Sequence, residues 1–200
     1  MTDYAHLDYP NNLPLKKELI RLINTLNAYK IHYWIDFSTL AKITSNSKYL
    51  NYLCNFDICV FEDSYGQVQD LISKNNFYTW HKSNFTTTIS TPDLIALKNT
   101  TNPEIIVQRM LKWITIWNYK LIDNNLTSLK IEKDFTYKKE MFLEVEEIQY
   151  CGIKLNIPKN VEQLNKIRYP DPKQVVWCHS PKKRENSEKV FGYCNLGDYK

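Results

Sequence analysis

Glycine is scarce in this chain, at 4 of 200 residues. Tight turns that bring a backbone close to a phosphate usually lean on glycine, so any such turn here must be built from other residues. Cysteine numbers 5, an odd count with no paired spacing. That argues against a disulfide framework and for free thiols in a reducing compartment. Cys54 and Cys59 flank Asp57, Cys178 adjoins His179, and Cys151 and Cys194 stand apart; none of these matches zinc-ligand spacing. His32 and His81 are isolated in the chain and read as structural. No apolar run approaches the ~18 residues of a membrane span. Residues Met1 to Asn12 are polar and acidic, with no apolar core of a signal peptide, so a cytoplasmic protein is expected. Charge of one sign is also lacking. The net value of +4 is mild, and the Lys182-Lys183-Arg184 run reads as a solvated surface, so no nucleic-acid partner is expected.

What is present is a globular composition, with 43% hydrophobic and 24% charged residues and 14 tyrosines. Two hundred residues suit one domain. Its expected extent is 13–172, after a lead-in over 1–12 and before a charged tail over 173–200. Leu15, Leu19, Leu22, Ile23 and Leu26 recur at helical spacing, which predicts an amphipathic helix over 15–29. An apolar, aromatic strand is expected over 31–37, a short helix over 39–43, and a second strand over 56–61. On that second strand Asp57, Cys59 and Phe61 share one face, and Phe56, Ile58 and Val60 the other. Both faces are mostly apolar, which marks a central strand of a covered sheet.

Further on, a helix is expected over 65–74 and a hairpin of 77–82 with 85–90 around Ser83-Asn84. A short helix is expected over 93–98, and residues 103–111 fit helix or strand equally. Strong strand patterns follow over 113–119 and 126–131. A hairpin pairs 143–150 with 153–157, and Asn160 caps a helix running to Tyr169. Strands set between amphipathic helices predict a mixed α/β (α+β) domain, with a central mixed sheet flanked by helices and extra hairpins.

The stretch from Tyr33 to Asp63 holds the chemistry. Asp57 is a carboxylate in an apolar strand and needs a metal, a cation or hydrogen-bond donors. Ser38 and Thr39 sit where a helix begins and can offer amides and hydroxyls to a phosphate, or cap the helix. Lys42 lies one turn further on, and reads either as a phosphate contact or as a surface lysine. Asp36 precedes the turn, to orient it or to cap.

Phe37-Ser38-Thr39-Leu40 and Asn55-Phe56-Asp57-Ile58-Cys59-Val60 resemble, without a gap, two motifs of the LicD/fukutin-related family, a branch of the nucleotidyltransferase fold. The GIKLNIPKNVEQLNKIRYPD stretch is similar to the end of that family's domain. The departures fall on the chemistry: Ser38 and Lys42 replace glycines, Ser45 an arginine, and Leu53, Cys54 and Asn55 acids of an Asp run. The resemblance implies a nucleotidyltransferase-like fold and a phosphotransferase. It would move a phosphocholine, ribitol-phosphate or sugar-phosphate group from a CDP-type donor to a glycan acceptor. It further implies Mg²⁺ or Mn²⁺ on Asp57, Asn55 and Thr115, the last by similarity of Ile114-Thr115-Ile116-Trp117-Asn118-Tyr119 to the family's third-acid strand. Asp57 would then be catalytic, with Ser38, Thr39 and Lys42 on the donor phosphates. Two of the three metal positions are neutral here, which weakens any hard-cation site. Glu62 and Asp63 offer replacement acids or a solvated strand end. The opposing reading is an inactive pseudo-transferase that serves as a binding or scaffold protein, with a protein partner.

Overall fold

The computed structural model describes residues 13–44, 55–91, 113–122, 125–128 and 137–168. The helix α1 (Leu13–Ala28) buries Leu15, Leu19, Leu22, Ile23 and Leu26, the five positions that the periodicity singles out. Next come β1 (Tyr33–Ile35), α2 (Phe37–Thr44), β2 (Asn55–Phe61) and α3 (Glu62–Lys74). The hairpin β3 (Tyr78–Lys82) and β4 (Thr86–Ser90) follows, then the long β5 (Trp113–Ile122), β6 (Asn125–Ser128) and β7 (Tyr137–Lys138). The short α4 (Glu140–Leu143), the hairpin β8 (Val145–Tyr150) and β9 (Ile153–Pro158), and α5 (Val161–Arg168) complete the described order.

Seven strands form one mixed sheet along the path β1-β2-β5-β4-β3, with β6 on β5 and β7 on β6. The β2–β5 pair is parallel, and the other pairs are antiparallel. Strand β5 pairs with β4 through Ile114 to Trp117 and with β6 through Tyr119 to Ile122, so it spans both halves of the sheet. The fold class is the expected one: a central mixed sheet flanked by helices, with a separate β8–β9 hairpin.

The two faces of the sheet differ. Phe56, Ile58, Val60, Ile114 and Ile116 pack with α1, α3 and the β8–β9 hairpin into an aliphatic core. On the other face Trp34, Cys59, Trp117 and Tyr119 pack with Tyr137, Phe142 of α4 and Leu164 of α5. The face carrying Asp57 is therefore aromatic and polar, and the reverse face aliphatic, as the alternation along β2 requires.

Several boundaries move. The strand expected over 31–37 is only Tyr33–Ile35. Asp36 Oδ1 accepts the Phe37 N–H at 2.8 Å and Phe37 turns to φ 53°, which ends the strand and opens α2. The helix expected from Tyr65 begins at Glu62, straight out of β2, with Glu62 and Asp63 in its first turn, where acidic side chains suit the helix dipole. Leu143 belongs to α4 and not to a strand. Expectations over 93–98, 103–111, 123–124 and 129–136 lie outside the described residues, as do Cys54, Cys178, His179 and Cys194.

Candidate functional site

The site grows out of the β1–α2 turn. Backbone N–H of Asp36 donates to the Asp57 carbonyl at 3.3 Å, which sets the turn beside β2. Phe37 holds a left-handed backbone, where a non-glycine residue costs about 1–2 kcal/mol. Its ring contacts Trp117 at 5.3 Å and Tyr119 at 6.1 Å between centroids, packing of the same order that offsets the strain. A glycine-poor chain has thus made its tight turn with an aromatic anchor.

Thr39, fully buried on α2, donates its hydroxyl to Asp57 Oδ2 at 3.1 Å and accepts the Asp57 N–H at 3.0 Å. Trp117 Nε1 donates to Asp57 Oδ1 at 3.0 Å. Each oxygen of this carboxylate, 2% exposed, therefore accepts a hydrogen bond from a neutral donor. Asp36 is engaged in the same manner. Its Oδ2 accepts from Trp34 Nε1 at 3.0 Å and Tyr119 hydroxyl at 3.1 Å, with the Cys59 thiol 3.7 Å away. Burial pushes the Cys59 thiol well above its ordinary value, and the charge of Asp57 adds to that, so Cys59 stays protonated.

The sequence-derived positions come together in part. Thr115 is the register partner of Asp57 across the parallel β2–β5 pair, and Thr88 of β4 is the partner of Thr115 on the other side. Asn55 begins β2 two residues before Asp57, opposite Trp113. Ser38 and Lys42 lie in α2, and their side chains are outside the description. Glu62 and Asp63 are exposed, and Glu62 pairs with Lys120 at 3.2 Å. His32 Nε2 lies 2.8 Å from the Phe142 carbonyl and its ring stacks on Phe61, while His81 is exposed on β3. Trp34, Trp117 and Tyr119, the donors that hold the two acids, were not singled out from sequence. The signal was there in β5, where Trp113, Thr115, Trp117 and Tyr119 alternate onto one face.

The donor set decides the fit of a divalent cation. Such an ion wants several carboxylate oxygens. Here Asp57 is tied to Thr39 and Trp117, its register partner is neutral Thr115, and no cluster of three or more His, Cys, Asp or Glu occurs among the described residues. The positions expected to hold Mg²⁺ or Mn²⁺, Asp57, Asn55 and Thr115, supply one carboxylate between them, a poor set for a hard cation. Among them, too, no helix is long and apolar enough to cross a membrane.

No family model matches the chain, and no curated protein matches it. Solved structures that are similar include the lincosamide antibiotic adenylyltransferase LnuA with lincomycin bound, at 12% identity and TM-score 0.44, over 74% of this chain and 83% of that one. ANT(2")-Ia in complex with adenylyl-2"-tobramycin is similar at 9% identity and TM-score 0.47, over 88% and 87%. A solution structure of the antibiotic-resistance factor ANT(2'')-Ia gives 8% identity and TM-score 0.46, over 88% and 83%. These findings correct the resemblance drawn from the motifs: the structural likeness is to antibiotic nucleotidyltransferases, not to the LicD/fukutin-related family. The physical reason is that the matched segments, 37–40 and 55–60, are a strand-edge turn and an apolar strand. Such a pattern reports a buried sheet and turn more than a particular chemistry, and the acids that make the family specific are the ones replaced.

Proposed function

We propose that this chain is a nucleotidyltransferase-like domain that holds a nucleotide-type ligand on its aromatic, Asp57-bearing sheet face without metal-dependent transfer, as a binding or scaffold protein. One observation carries this reading: both oxygens of Asp57 are held by Thr39 and Trp117, and neutral Thr115 stands beside it. A carboxylate bound in that way anchors α2 to the sheet, and the charge that phosphoryl chemistry asks of a metal cluster is missing among the described residues. Thr39 acts as a positioning residue. Ser38 and Lys42, at the start and in the middle of α2, are the candidates for ligand phosphates, since a helix start favours anions. Asn55 flanks the same end of β2. The free, buried thiol of Cys59 fits a reducing, cytoplasmic location.

A second reading, transfer of a nucleotidyl group to a small molecule, draws on the Asp57–Thr115 register. That register sets the two positions side by side on adjacent parallel strands, as a nucleotidyl-transfer site requires. Calorimetry with ATP, GTP, CTP, UTP and a CDP-linked donor, each in EDTA, Mg²⁺ and Mn²⁺, separates the readings. Binding of equal strength in EDTA and in metal is the expected result. Binding that appears only with metal would overturn it in favour of transfer. Silence in every buffer would remove the nucleotide and leave a scaffold alone.

A further inference from the structure

The corner between β7 and α4 meets α5 and leaves a cleft between them. Strand β7 ends at Lys138, α4 opens with Glu140 and Met141, and the chain returns at Asn160 to start α5. Asn160, Gln163 and Ile167 recur at helical spacing, so they form one stripe along α5. Leu164 lies off that stripe and is buried with Trp117 and Tyr119. The stripe and the β7–α4 corner line a cleft of about 370 Å³. Small-molecule sites run from about 300 to 1,000 Å³, so the space suits a small ligand.

The cleft has a packed floor and a polar rim. Tyr137 at its base is buried and meets the fully buried Phe142 edge-on, with ring centroids 5.8 Å apart. Met141 is half-buried and Ile167 is 44% exposed, so apolar surface faces the opening and would gain from being covered. The charges around it are of two kinds. Lys159 pairs with Glu144 at 3.0 Å, and the Lys139 ammonium lies 5.6 Å from the Phe61 ring centroid. By contrast, among the described residues the side chains of Lys138, Glu140, Asn160 and Gln163 have no hydrogen-bond or ion-pair partner. Lys138 and Glu140 are opposite in charge and two residues apart, yet they do not pair with one another. Both charges are therefore available to a ligand. An anion alone would be repelled by Glu140, and a cation alone by Lys138. A molecule carrying both charges satisfies each, and the two carboxamides can donate or accept beside either.

We propose that this cleft is a ligand site for a small zwitterion of the α-amino acid class with an apolar side chain. Lys138 takes its carboxylate, Glu140 its ammonium, and Met141 and Ile167 cover its apolar body. The site is separate from the Asp57-bearing nucleotide face and does not depend on that reading.

The test follows the Met141 methyl resonance in protein labelled at its methionine methyls, assigned with Met141→Leu. The probes are leucine, leucinamide, which lacks the carboxylate, isocaproate, which lacks the ammonium, and glycine, which lacks the apolar body. Leucine is expected to shift the resonance saturably, and the other three to bind about tenfold or more weakly. Glu140→Gln should weaken leucine by about the same factor and leave isocaproate at least as tight. Lys138→Gln should weaken leucine likewise and leave leucinamide at least as tight. Both positions are exposed, and thermal melts check that the variants stay folded. Leucine that leaves the resonance unmoved would overturn the site. So would leucine binding both folded variants as tightly as wild type, or any of the other three probes binding wild type as tightly as leucine. The nucleotide reading stands or falls separately, by the calorimetry above.

Discussion

Thr39 and Asp57 show how one hydroxyl can fasten a helix to a sheet. Thr39 gives a proton to Asp57 Oδ2 and takes one from the Asp57 backbone, with both residues out of water. Buried partners left unmatched cost more than the bond itself is worth. Thr39→Val is therefore expected to destabilise the chain by about 1–3 kcal/mol. Asp57→Asn should cost a similar amount, since its single amide oxygen can accept from only one of the Thr39 and Trp117 donors. The double variant should cost less than the two single losses added, because both break one contact. Urea denaturation of the three variants measures this. An Asp57→Asn chain more stable than wild type would mean that the charge is kept for a ligand and not for the fold. That Asp57 is buried and needs partners was legible from its apolar strand. That Trp117, 60 residues away, supplies one of them was not.

At the scale of elements, the β8–β9 hairpin is a two-stranded sheet of its own, yet it belongs to the main core. Tyr150, Ile153, Leu155 and Ile157 join the aliphatic cluster beneath β1 and β2. The hairpin is held by its apolar side, while Lys154 pairs with Glu147 in solvent. Leu155→Ala, which empties a fully buried position, should lower stability by about 2–5 kcal/mol. Lys154→Ala should stay within about 0.5 kcal/mol. Thermal or urea unfolding checks both, and a neutral Leu155→Ala would mean that the hairpin is a detachable flap. This hairpin, the β3–β4 hairpin and α1 were readable because each is set by local pattern and turn chemistry. The premature end of β1 was not, because it depends on Asp36 capturing the Phe37 N–H at a backbone angle rare for an aromatic residue.

At the scale of the whole molecule, buried tyrosines such as Tyr33 and Tyr65 couple stability to alkaline pH. Tyr33 is 1% exposed, and its burial pushes the phenol up to about 12 from 10.0. Tyr65 is raised by burial in the same direction. In the unfolded chain these groups begin to lose their protons near pH 10, while the folded chain keeps them, so the folded state binds more protons in that window. Stability from Tyr33 is thus complete below about pH 10 and falls as pH rises toward 12, by on the order of 2 kcal/mol. Cys59 adds the same sign from its ordinary 9.0 upward. Urea midpoints taken from pH 8 to 11.5 should be flat at first and then decline, with a shallower decline in Tyr33→Phe. A midpoint that rose with pH in this range would contradict the buried, neutral phenols.

Helical spacing by itself determined which five residues of α1 go inside, and alternation by itself determined that Asp57 and Cys59 share a face of β2. Both are periodic properties of one segment, fixed by backbone geometry before any other segment arrives. Only the tertiary structure decided that β5 lies parallel beside β2, with Thr115 opposite Asp57 and Trp113 opposite Asn55. Alternation tells a strand which side is inward and not which strand is its neighbour or in what register, since neighbours distant in sequence leave no local mark. The same holds for the chemistry. Asp57 announces a need for partners, but whether a cation or a threonine and an indole meet that need is settled by which side chains the sheet and α2 bring to it.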